Sequence, residues 1–85
     1  MNNLLQDAAA RAQTYLESLD DRDVAPSEAA LAALAEFAGP LPEQGRDGGE
    51  VLAALDRLGS PATMASAGPR YFGFVTGGSL PVGLA

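Results

Sequence analysis

The chain has 85 residues, is 47 % hydrophobic and carries a net charge of −6 from eleven acids against five arginines, which bounds it to one small domain with a modest core and sets it apart from a disordered polar tail. The arginines stand apart at 11, 22, 46, 57 and 70, without the clustered basic face that nucleic acid or an anionic membrane requires, so neither is expected as a partner. There is no lysine, histidine or cysteine, which removes the side-chain amine for a Schiff base, the usual acid–base group near neutral pH, and any disulfide or thiolate metal site.

The first predicted element is an amphipathic helix over Asn3 to Leu19. Leu4, Leu5, Ala8, Ala12, Tyr15, Leu16 and Leu19 recur at three- and four-residue steps. Asn2 or Asn3 could cap it. Asp20, Asp21, Arg22 and Asp23 then break the apolar pattern. Three nearby aspartates hint at a calcium loop, but the glycine and distal glutamate of such a loop are missing, and a solvated acidic turn is the reading kept. Arg22 could pair with one of these acids or with a partner surface.

Val24-Ala25-Pro26 is expected to be extended, because a residue before proline is driven out of helical geometry. Ser27 follows as a cap for a second helix over Glu28 to Phe37, with Leu31, Leu34, Ala35 and Ala38 on one face. Gly39-Pro40-Leu41-Pro42 ends it. Residues 39–49 form a glycine- and proline-rich loop, with Asp47 as a cap for a third helix over Gly49 to Leu58, whose stripe is Val51, Leu52, Leu55 and Leu58. Gly59-Ser60-Pro61 is expected to interrupt that helix and start a short one reaching Ala67.

The remaining residues differ in character. Tyr71, Phe72 and Phe74 are the only aromatic cluster, and Thr76-Gly77-Gly78-Ser79 leads to Pro81 and the start of another helix. On composition alone the aromatics read as core or interface packing. The Thr76–Ser79 stretch reads as a flexible turn with a Ser79 cap rather than an anion site, since it lacks the spacing and lysine of a phosphate loop. The sequence stops about one turn into the last helix, which leads to the expectation of a truncated chain, because one turn returns little of the cost of helix nucleation. No apolar run approaches the roughly 18 residues of a transmembrane helix. Met1-Asn2-Asn3 lacks the basic region and apolar stretch of a signal peptide, so a cytoplasmic location is expected.

Three patterns, in order, resemble the N-terminal region of the group II pyridoxal-phosphate-dependent amino-acid decarboxylases. They are Tyr15-Leu16-Glu17 followed by Arg22-Asp23-Val24-Ala25-Pro26, the spacer with its leucine-rich third helix, and Gly68-Pro69-Arg70-Tyr71-Phe72-Gly73-Phe74-Val75-Thr76-Gly77-Gly78-Ser79-Leu80-Pro81. The last is similar to the family's His-Pro-x-Phe/Tyr-Phe motif, with Gly68 where many members carry histidine. The resemblance spans this chain but only the front of a family member.

It implies a mainly α segment of three to four helices, which packs on an aspartate-aminotransferase-like, fold type I α/β dimer. Residues 1–67 would be the helical segment, and residues 68–85 the pocket loop and the start of a helix. The implied partners are the decarboxylase body, its dimer mate and a small amino-acid substrate. The implied cofactor is pyridoxal phosphate, the electron sink for decarboxylation. Phe74, Val75 and Thr76 would line the substrate side of the pocket, and Tyr71 and Phe72 would support it. The family's catalytic lysine, its stacking histidine and the aspartate on the pyridine nitrogen have no counterpart here. No catalytic, metal-ligating or cofactor-binding residue is therefore expected in this chain, which alone should be inactive. A reading from another class is a free-standing acidic helical interaction module.

Overall fold

Alternation of apolar and polar residues at helical steps organises the whole chain. A computed structural model describes residues 2–75 and 80–84, and it is mainly helical, with no strand among them. Helix α1 spans Asn2–Ser18, so Asn3 lies inside the helix and does not cap it. Its end is a tight turn in which the amides of Asp21 and Arg22 both donate to the Ser18 carbonyl. The acidic side chains of Asp20, Asp21 and Asp23 face solvent, as a helix-terminating turn requires.

Helix α2 covers Glu28–Ala33 and tightens into a 3₁₀ turn over Leu34–Phe37, together matching the expected span. Ser27 caps it, its hydroxyl accepting from the Ala30 amide at 3.1 Å. Helix α3 covers Gly48–Ala54, and Asp47 caps it by accepting from the Glu50 amide at 3.2 Å. A glycine at 48 lets α3 approach α1 closely: a Cβ there would lie 3.0 Å from Leu4 Cδ1.

The end of α3 departs from expectation. The chain does not break at Gly59 but continues through a π turn over Leu55–Gly59 into a 3₁₀ turn over Ser60–Ala62. Gly59 and Ser60 keep helical dihedrals, and Pro61 is tolerated at the opening of the 3₁₀ turn, where no amide is needed. No helix reaches Ala67. Thr63 turns extended instead, and the Ala65 amide donates to the Val24 carbonyl at 2.9 Å. That long-range bond draws the chain away from the helix axis and onto the end of α1. A 3₁₀ turn at Gly73–Val75 and helix α4 at Pro81–Leu84 complete the described chain. The expected Ser79 cap lies outside the described residues.

Helix α1 packs on α3, α2 packs on the Ser60–Ala62 turn, and the Leu34–Phe37 turn packs on the π turn. The buried apolar residues among those described are Leu19, Leu58 and Ala65. The core therefore sits where the end of α1, the π turn and the returning 63–68 segment meet. At this point Gly68 is pressed close, with its would-be Cβ 3.2 Å from the Ala65 carbonyl oxygen and 3.5 Å from Leu19 Cβ.

Candidate docking surface and aromatic loop

Two features stand out: an apolar groove beside α1, and the aromatic loop at 71–75. The groove lies between α1 and the α3–π segment. It encloses about 690 Å³, with Ala8, Leu16, Leu52 and Leu55 among its walls. These are the stripes that periodicity assigned to helix faces, and the third helix leaves its stripe only partly covered, with Leu55 55 % exposed.

The groove's polar rim is satisfied from within the chain. Arg11 donates through Nε to Asp7 Oδ1 at 3.0 Å and through Nη1 to Asp56 Oδ2 at 2.9 Å. Ser60 Oγ donates to Asp56 Oδ1 at 2.8 Å. The hydroxyls of Tyr15 and Thr63 share a hydrogen bond at 2.8 Å. The Ser60 hydroxyl and then the Arg11 guanidinium hold the Asp56 carboxyl below the usual carboxylate range. The bond to Asp56 likewise raises Arg11. The i, i+4 spacing of Asp7 and Arg11 was visible in the sequence, but their link to Asp56 depends on α1 meeting the π turn.

Arg22 pairs with none of its acidic neighbours, contrary to one of the two expectations for it. Its Nη2 donates to the Ser60 carbonyl at 2.6 Å, and its guanidinium lies 4.7 Å from the Tyr15 ring centroid. Next to it, Arg70 donates through Nη1 to the Asp20 carbonyl at 3.0 Å and through Nη2 to the Arg22 carbonyl. The aromatic stretch is thus tied at its root to the turn after α1.

The residues expected at the pocket loop lie along one short turn. Tyr71 is half-buried, with its hydroxyl folded over Gly73, where an added Cβ would come within 2.5 Å of it. Phe72 and Phe74 are 89 % and 92 % exposed. Phe74 has φ 55° and ψ 20°, a left-handed conformation in a residue that carries a Cβ. Val75 closes the 3₁₀ turn, and Thr76 lies outside the described residues. Residues 71–75 line neither the main groove nor the two smaller ones of about 380 and 190 Å³.

Among the described residues no group of His, Cys, Asp and Glu is arranged to hold a metal ion, and no helix is long and apolar enough to cross a membrane. The chain matches no family model, no curated protein and no solved structure.

Proposed function

We propose that this chain is the N-terminal helical segment of a pyridoxal-phosphate-dependent carboxy-lyase acting on an L-amino acid in the cytoplasm. In this reading it supplies dimer packing and one loop of the substrate pocket. The observation that carries the docking role is surface area. The chain exposes 6720 Å², whereas a compact monomer of 8.6 kDa should expose about 4,700 Å². The excess of roughly 2,000 Å² matches one side of a large obligate interface. The radius of gyration agrees: it is 14.8 Å, against about 12 Å for a compact domain of this length.

The exposed side chains fit the same reading. Leu5, Leu31, Phe37, Leu55, Phe72 and Phe74 are among the large apolar residues left in solvent. Large apolar side chains left in solvent in this number fit a chain that covers another surface. The sequence resemblance supplies the identity of the body to be covered and the pocket role of Phe74, Val75 and Thr76, with Tyr71 and Phe72 in support.

The residues present do not fit a holder of pyridoxal phosphate. No lysine or histidine exists, the groove's polar groups bond to one another, and no buried side-chain nitrogen or oxygen among the described residues lacks a partner. No chemical step is assigned to this chain.

The reading frame beyond the Ala85 codon is the direct test. Continuation into a lysine-bearing cofactor domain supports the proposal; a stop codon at that point overturns it. Thermal melting and sedimentation of the 85-residue chain provide the physical counterpart. Concentration-dependent association through the exposed apolar faces is the expected behaviour. A chain that melts as a monomer at every concentration would favour the acidic interaction module instead.

A further inference from the structure

A left-handed, non-glycine residue raises the question of what holds it there. Phe74 has φ 55°, and its ring is 92 % exposed, so packing of the ring within the chain does not supply the restraint. Such a conformation is disfavoured in a residue with a Cβ, and it persists only where the surroundings dictate it.

Among the described residues, a chain of contacts reaches this turn from its N-terminal side. Gly68 is wedged against Leu19 and Ala65, and its amide donates to the Ala65 carbonyl at 3.0 Å. Arg70 then spans fifty residues of sequence to the carbonyls of Asp20 and Arg22. Both carbonyls belong to the turn that follows α1, where they accept from the two terminal nitrogens of one guanidinium. The receiving turn is itself fixed, because Arg22 lies over Tyr15 and donates to the Ser60 carbonyl. Beyond Arg70, Tyr71 folds its hydroxyl over Gly73.

We propose that Arg70 is the positioning residue of the aromatic loop. By bridging two carbonyls in the turn after α1 it fixes the direction in which residues 71–75 leave the core, and it thereby holds Phe74 left-handed with its ring presented outward. A guanidinium can do this because its planar fork carries donors on two separate nitrogens; an ammonium is a single point and does not span the pair in the same way. The acidic turn at 20–23 acquires a role beyond ending a helix, as the socket for this arginine. The consequence for a substrate pocket rests on the function proposed above, but the positioning itself does not.

The test is NMR of the protein labelled with ¹³C,¹⁵N-phenylalanine, which reads Cα and Cβ shifts and the amide–Hα coupling at Phe74. The wild type should show the positive-φ pattern at Phe74. Arg70→Ala should lose it and show conformational averaging there, while Phe37, on the far side of the molecule's sequence and outside the loop, keeps its wild-type shifts. Arg70→Lys should fail to restore the Phe74 pattern. Unchanged Phe74 signals in Arg70→Ala would overturn the proposal, as would equal disturbance of Phe37, which would mark Arg70 as a general stabiliser. Full restoration by lysine would overturn the two-carbonyl bridge. None of these readouts involves decarboxylation, so their failure is separable from failure of the enzyme reading.

Discussion

Asp56 shows how a single residue can be legible in kind but not in role. It sits in the third helix as an ordinary surface acid, yet it joins Ser60 one turn ahead to Arg11 on α1. Both partners favour the charged carboxylate, so folding lowers its pKa. A lowered acid contributes stability above its unfolded pKa, and that contribution is lost as pH falls through the folded value. The Asp56 carboxyl carbon, followed by NMR, should therefore titrate below the usual range near 4. Ser60→Ala and Arg11→Ala should each move the midpoint upward. Arg22 teaches the same lesson in reverse: three acids surround it in sequence, and it turns away from all of them to a carbonyl and a ring. Exposed acids gain little from one more cation in water, whereas a carbonyl at the edge of the core gains more from a donor.

At the scale of elements, local chemistry predicted starts better than ends. Ser27 and Asp47 cap α2 and α3 as their side chains suggest. Helix α2 has no buried residue and one α-helical stretch of six, so its cap should matter. Ser27→Ala should cost about 1 kcal/mol and lower the helical Cα shifts of residues 28–33 selectively. The stop at Gly59-Ser60-Pro61 was misread because glycine and proline are breakers only on average. Here the backbone widens into a π turn and carries on to Ala62. The helix expected as far as Ala67 loses to the bond between the Ala65 amide and the Val24 carbonyl, a partner more than forty residues away that no local pattern reveals. The aromatic loop was legible as a special segment from its composition, but not its tether, since Arg70 reaches backbone atoms and backbone atoms carry no sequence signal.

For the molecule as a whole, the balance between buried and exposed apolar residues decides the argument. Leu58 is 5 % exposed, at the meeting point of the core, and Leu55, three residues earlier on the same helical stripe, faces the open groove. Leu58→Ala should destabilise the fold by about 2 kcal/mol, toward the low end for core leucines because the core it belongs to is small, as read from urea titration of helicity. Leu55→Ala should leave that titration within about 0.5 kcal/mol of wild type. If the groove is a docking face, the second substitution should instead weaken assembly, read as a shift in the sedimentation profile of the protein. The two leucines are equivalent in the sequence pattern and separate only in three dimensions.

Periodicity, caps and the missing lysine and histidine were enough to determine a mainly helical chain without the groups for pyridoxal chemistry. Those properties depend on neighbours within a turn or on residue type alone. Which stripe is buried, where the third helix ends, and how Arg70 holds the aromatic loop were decided only by the tertiary structure. Each depends on contacts between residues dozens of positions apart, several of them made to backbone carbonyls that every residue possesses alike.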